Sequence, residues 1–371
     1  MANTIFQRGG MHSASVEEVW GEKTWRQAEK DSYFNDGRFV GTSSNSLIQV
    51  NTDLTKRKGD RINTPLRARL ISDGKVDDEA IEGQEKAMTF HNCQTTIHKR
   101  KEAIRLDGEM TEQRTAIKLR SEAKDALGLW LAENRDTDVL MGLSGLANGA
   151  GTIPASAPTA HRRFYGGQTT DGENGVEAVA GDANIVAAGG KHLFGTLVIS
   201  HLKRMAKKDG GSAYSKIRPI VIGGKTWYVM FVSPWQVKAL RQENAWINAQ
   251  KDANVRGTDN PLFSGAAGIW DGVIIHEYDK IVYKTGNGSN VVFEAGDVIA
   301  NGITVARGLF CGAQAGILAY GRKIGWKEKI FEYGSQFGVE VSSIYGFSKA
   351  KFNNEDFAVI TCDTRVELDA A

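Results

Sequence analysis

RINTPLRARL (61–70), ISDGKVDDEAIEGQEKA (71–87) and MTFHNCQTTIHKRKEAIRL (88–106) follow one another directly. In the first, Ile62, Thr64, Leu66, Ala68 and Leu70 alternate with Arg61, Asn63, Pro65, Arg67 and Arg69. A period of two marks a half-covered strand. Pro65 cannot donate to a ladder, which puts this strand at an edge or a bulge. The second stretch is acidic, holds Gly74 and Gly83, and reads as a loop tip. The third reads as a return strand. Together they predict a long β-hairpin whose arms reach roughly 50 Å if straight, at ~3.3 Å per residue. A lone two-stranded hairpin is marginal in water, so this one is expected to lie on something, a neighbouring copy first of all.

Charge is spread unevenly along the hairpin. Asp73, Asp77, Asp78, Glu79, Glu82 and Glu85 face only Lys75 and Lys86 at the tip. The base holds Lys56, Arg57, Lys58 and Arg61 against Asp60, and Lys99, Arg100, Lys101 and Arg105 against Glu102.

Upstream, residues 1–50 are polar and irregular, with Phe6, Trp20, Trp25, Phe34 and Phe39 as isolated anchors. Such a segment cannot close its own core. Two tryptophans favour a segment laid across other surfaces, because disordered tails are poor in aromatics. Downstream, TEQRTAIKLRSEAKDALGLWLAENR (111–135) is the clearest helix: Ala116, Leu119, Ala123, Ala126, Leu127 and Trp130 share one face. Thr111 is the expected cap, and Asp136 or Asp138 is expected to open a second short helix over 136–146. Residues 147–190, rich in Gly, Ala, Thr and Ser, read as a long loop.

The next elements carry sharper signals. TLVISHLKRMAKK (196–208) is helical and ends in basic residues before Gly210-Gly211. IRPIVI (217–222) and KTWYVMFV (225–232) flank Gly223-Gly224, a hairpin with a tight primed turn. Ser233, Pro234 and Gln236 spell cap, first helical position and capping box. Asp271-Gly272 and Gly286-Asn287-Gly288 mark further hairpins, and 338–368 alternates as closing strands. The order is that of an α+β chain with two extended projections.

Bulk composition narrows the function. The chain has 371 residues, 41% of them hydrophobic, enough for one large domain or two to three small ones. Net charge is +2, so the basic excess of a dedicated duplex-DNA binder is missing. Cys93, Cys311 and Cys362 are far apart and are expected to be buried thiols. The opening MANTIFQRGG lacks the apolar stretch of a secretory leader. The run 308–321 falls short of the ~20 residues a membrane span needs, and no membrane association is expected.

No chemical motif survives inspection. Gly224-Lys225-Thr226 lacks the glycine five residues earlier that a phosphate loop requires, since Pro219 stands there. Gly142-Leu143-Ser144-Gly145 does not fit a nucleophile elbow. His91, Cys93 and His98 are the nearest approach to a metal cluster, but on a strand His98 points away from the other two. No cofactor, metal or catalytic residue is expected.

Seven stretches carry a resemblance: LIQVNTDLTKRKGDRINTPLRARL (47–70), EGQEKAMTFHN (82–92), EMTEQRTAIKLRSEAKDALGLW (109–130), IRPIVIGGKTWYVMFVSPWQVKALR (217–241), NPLFSGAAGIWDGVIIHE (260–277), ARGLFCGAQAGILAYGR (306–322) and FNNEDFAVITCDT (352–364). In that order they resemble the major capsid proteins of tailed bacteriophages, the family that includes the coat protein of N4-like podoviruses. The resemblance implies the Hong Kong 97-like fold. It implies an N-terminal arm (1–50), an extended hairpin or E-loop (51–110), a peripheral domain with a spine helix (111–160), an axial domain (161–336) and C-terminal strands returning to the peripheral domain (337–371). It also implies a structural protein of the virion, assembled in the host cytoplasm into hexamers and pentamers of an icosahedral head around double-stranded DNA. Portal, scaffolding and decoration proteins are its implied partners, and DNA would be met on the inner face without sequence specificity. A bacterial nanocompartment shell and a soluble enzyme are the alternatives.

Within that frame the inter-subunit candidates are the acidic tip (Asp73, Asp77, Asp78, Glu79, Glu82, Glu85), the basic base (Lys99, Arg100, Lys101), and Trp20 and Trp25. Leu119, Leu127 and Trp130 are the candidates for spine-helix packing. The tip can seat on a basic patch of the next subunit, or both charged faces can simply be solvated, or the basic clusters can face packaged DNA.

Overall fold

The structure is a computed structural model. It describes residues 23–366 apart from 35–36, 68–69, 71–73, 115–117, 169–175, 180–191, 210–214, 253–265, 286–289, 293–302 and the single residues 29, 56, 78, 80, 84, 108 and 281. Trp20, Asp73 and Asp78 therefore lie outside the described residues, as does the tip at 286–288.

Two sheets organise the chain. Gly316–Phe331 and Gln336–Lys349 form a long antiparallel pair. Ile48–Asn51 and Val40–Gly41 extend it on one side, running parallel, and His98–Arg105 extends it on the other. A larger sheet runs in the order Gly268–Trp270, Val273–Glu277, Lys225–Val232, Ile303–Cys311, Val359–Arg365, Arg163–Gln168, Val176–Ala178. Its middle strands are buried along nearly their whole length, from Tyr228 to Val232 and from Val359 to Thr364. That is why Tyr228–Val232 reads as a continuous apolar run, whereas Val359–Thr364, expected to alternate, is buried at every position, Thr361, Asp363 and Thr364 included.

The helices cover these strands. Thr196–Lys207 buries Val198, Ile199, Leu202 and Ala206, spaced three and four apart. Pro234–Gln242 starts as the sequence predicts: the Gln236 amide donates to Ser233 Oγ at 3.2 Å, and the Ser233 amide donates to Gln236 Oε1 at 3.0 Å. Gly223 and Gly224 turn the preceding hairpin at φ of 54° and 76°, the left-handed pair a primed turn demands. Asp271 and Gly272 do the same between Gly268–Trp270 and Val273–Glu277.

Four expectations need correction. First, the two helices predicted over 111–135 and 136–146 are a short helix Glu109–Arg114 and one long helix Leu119–Ser144. Thr111 lies inside the first, two residues past its start. Asp136 and Asp138 sit in the middle of the second, both buried. Their carboxylates serve other elements instead of opening a helix. The long helix ends at Gly145, whose φ of 79° lets its amide donate back to Gly142 and Met141.

Second, Ala126 is exposed; Ala123 is buried, and Leu127, Leu131 and Ala132 pack on Trp326, Val339 and Val341 of the long strand pair. Leu119 and Trp130 are half-buried. Third, the loop predicted over 147–190 contains Arg163–Gln168, a strand of the larger sheet. Its glycines mask it, because Gly166 and Gly167 carry no apolar side chains. A side chain at Gly167 would meet the His192 carbonyl at 2.2 Å, so close backbone approach is the reason for glycine there.

Fourth, the described part of residues 1–50 folds onto its own subunit. Helical residues 23–28 and 30–31 cross the long helix at Gly128, 3.6 Å from where a Cβ would stand. Phe34, Phe39, Leu47 and Ile48 enter the main core.

Candidate assembly interface

The predicted hairpin is present, but its return strand is divided at Ile97. Arg61–Arg67 pairs antiparallel with Phe90–Thr96 alone, including Pro65 opposite Asn92. Pro65 is tolerated because both strands are edges. Beyond Ile97, His98–Arg105 leaves the ribbon and joins Gln336–Lys349. The two-stranded part is seven residue pairs, about 23 Å at ~3.3 Å per residue, so the paired ribbon is shorter than the arms the sequence suggests.

The root of the ribbon is fastened to the body. Cys93 packs with Ile317, Ala350 and Phe352, and Thr95 Oγ1 lies 2.5 Å from Ser348 Oγ. Gly346 lies so close to the Thr96 carbonyl that a Cβ would stand 1.9 Å away. Toward the tip this coverage ends. Leu70, Val76, Ile81, Met88 and Phe90 are each 57–65% exposed. Asp77, Glu79, Glu82 and Glu85 are exposed beside them, with Glu79 held by Lys75 at 3.2 Å.

The basic base behaves differently from its sequence reading. Arg100 turns inward and donates to Asp138 Oδ1 at 2.9 Å, Asn134 Oδ1 at 2.8 Å and Thr152 Oγ1 at 3.2 Å. Asp138 also accepts from Asn148 at 2.6 Å and from the Tyr345 hydroxyl at 2.7 Å. Burial pushes the Asp138 carboxyl above the usual carboxylate range, against the opposing pull of Asn148, Arg100 and Tyr345. Arg100 is therefore a structural bolt of its own subunit. Lys99 is exposed, 3.8 Å from Glu340, and Lys101 is exposed.

Trp25 is half-buried against its own chain: its ring meets Tyr320 edge-on at 5.9 Å, with Arg135 and Lys323 each 5.6 Å from its centroid. Asp136 clamps the segment that follows, accepting from Ser32 Oγ at 2.6 Å and from the Tyr33 and Phe34 amides at 2.7 and 3.2 Å. Sequence reasoning missed this clamp, since nothing local distinguishes a mid-helix aspartate from a helix cap.

Cys93, Cys311 and Cys362 are free and buried. Among the described residues no group of three His, Cys, Asp or Glu is placed to hold a metal, and no helix is long and apolar enough to cross a membrane.

A family model described as phage capsid protein matches residues 13–368. The chain belongs to the phage capsid protein family. A major capsid protein of Pseudomonas phage KPP25 is 31% identical over 367 residues, covering 92% of this chain and 93% of that one. The capsid of Ralstonia phage GP4 matches with a TM-score of 0.73 at 28% identity, over 92% of each chain. A subunit of the cyanophage Pam1 capsid shares the fold at a TM-score of 0.69 and 22% identity, covering 92% of this chain and 94% of that one. This phage capsid protein is thus a structural subunit of a virion shell with the Hong Kong 97-like fold, and it assembles with copies of itself. The nanocompartment and enzyme alternatives find no support in these likenesses.

Proposed function

We propose that the ribbon Arg61–Arg67/Phe90–Thr96 and its tip clasp an adjacent subunit, and that copies joined this way build hexamers and pentamers of an icosahedral head around double-stranded DNA. The observation that carries the reading is the exposure of Leu70, Val76, Ile81, Met88 and Phe90 on one thin projection. An apolar patch of this kind on an otherwise well-packed subunit marks an association surface. Each such side chain contributes about 1.5–3 kcal/mol when fully buried. Many modest contacts tethered in a closed lattice then sum steeply.

On this reading 51–110 is the E-loop, Leu119–Ser144 the spine helix of a peripheral domain, and most of 161–336 the axial domain. The subunit performs no catalysis. It assembles in the host cytoplasm, with scaffolding, portal and decoration proteins as partners, and meets packaged DNA without sequence specificity. Exposed Lys99 and Lys101 remain contact candidates at the ribbon's base.

Removal of residues 72–86 tests the docking. The shortened chain is expected to stay folded and soluble, because these residues contribute nothing to the described core. It is expected to form no shells by sedimentation and negative-stain microscopy. Normal particles from that chain would exclude the reading.

A further inference from the structure

We propose that a basic groove between Thr196–Lys207 and Arg163–Gln168 is the seat for the acidic hairpin tip of another copy of this chain. The inference rests on the docking reading above and names the surface that receives the tip. The groove encloses about 670 Å³. Arg163, Arg204, Lys207 and Lys208 line it, with no carboxylate among the described lining residues. Among the described residues none of these four cations is paired with a carboxylate: Arg204 contacts His201 Nδ1 at 2.9 Å, and Arg163 lies 5.0 Å from the Tyr165 ring centroid. Arg163 Nε is buried there without a hydrogen-bond partner. Phe164, Tyr165 and Met205 give the groove an apolar floor.

The tip is the complement in both respects. Asp77, Glu82 and Glu85 are exposed acids, and Val76 and Ile81 between them are 65% and 61% exposed. Acid meets base at the walls, and apolar meets apolar at the floor. A nucleic-acid backbone would satisfy the cations but leave Val76 and Ile81 uncovered. Paired charges at such a rim fix register and partner choice and are screened by salt, so tip seating weakens as ionic strength rises.

Charge reversal in full-length protein tests the pairing. One variant carries Asp77→Lys, Glu79→Lys and Glu82→Lys; a second carries Arg204→Glu, Lys207→Glu and Lys208→Glu; a third carries all six. Every substituted side chain is exposed, so folding is expected to survive and is checked by circular dichroism. Either set alone is expected to lower the yield of sedimenting shells about tenfold, and the sixfold variant to recover most of it. A sixfold variant no better than either parent overturns the groove assignment. If removal of 72–86 abolishes shells at the same time, hairpin docking stands and only the groove falls; if removal leaves shells normal, both fall. A groove reversal that leaves shell yield intact while abolishing capture of a duplex-DNA probe assigns the groove to phosphates and overturns the proposal. A second measurement uses Asp77→Cys with Lys208→Cys, which is readable because the native thiols are buried. Under mild oxidation, assembled shells are expected to give subunit multimers on a non-reducing gel that neither single variant gives. Shells without that cross-link overturn the proposal.

Discussion

The two halves of one strand, Phe90–Thr96 and His98–Arg105, are adjacent in sequence and opposite in fate. The inner half is hydrogen-bonded to Gln336–Lys349 along its length and drives Arg100 into a buried site at Asp138. The outer half pairs with a single strand that is itself an edge, and beyond Cys93 it leaves Phe90 in solvent. The inner half thus completes its bonding within one subunit. The outer half leaves Phe90 exposed, and on the proposed docking it is an adjacent subunit that covers it.

The largest effect expected from attacking the inner half follows from Asp138→Ala. Removing this carboxylate strands Arg100, Asn148 and the Tyr345 hydroxyl in a buried site, which costs about 3–5 kcal/mol. Denaturant unfolding of the unassembled subunit measures it, and a loss below about 1 kcal/mol would mean that the site relaxes or admits water.

The pH dependence sharpens the same point. Burial holds the Asp138 carboxyl above its ordinary 3.8 in the folded chain. Its contribution is therefore fully present below 3.8 and is lost as pH rises through the raised folded value. Asp138→Asn removes that titration. The stability of the Asn variant relative to the native chain should rise as pH climbs through the window above 3.8. The opposite slope, with the native chain gaining on the variant, would show that the Arg100 pairing outweighs burial.

The smallest effect on the subunit, and the one that separates the halves most cleanly, is expected from Phe90→Ser with Val76→Ser. Both side chains are more than half exposed, so unfolding free energy should change by no more than about 0.5 kcal/mol. On the proposed docking, shell yield should nevertheless collapse, because the surface lost is the one an adjacent subunit would cover. A large loss of subunit stability would show instead that the tip folds back on its own body.

The elements legible in the sequence share a property: their signals are local. Period two in 61–70, the capping box at Ser233, the Gly223-Gly224 turn and the basic end of Thr196–Lys207 each depend on residues within one or two turns of chain. The acidic tip was equally plain, and so was the collinear order of stretches that carried the family resemblance. What failed was local evidence with more than one solution. Asp136 and Asp138 fit a helix cap as well as a buried acceptor, and the choice fell to Ser32, Tyr33, Arg100 and Tyr345, which are distant in sequence. Arg100 belongs to a basic run by composition, and only the pairing of His98–Arg105 with Gln336–Lys349 turns it inward while Lys99 and Lys101 face out.

By itself, then, the sequence determined the class of fold, the order of its elements and the existence of a projecting hairpin, because hydrophobic period and turn chemistry act over a few residues. The tertiary structure alone decided where that hairpin stops being a body strand and becomes a free ribbon, which charges are consumed at home, and which apolar side chains are left without cover. Those outcomes depend on partners tens to hundreds of residues away, brought within hydrogen-bond reach only when the sheets close.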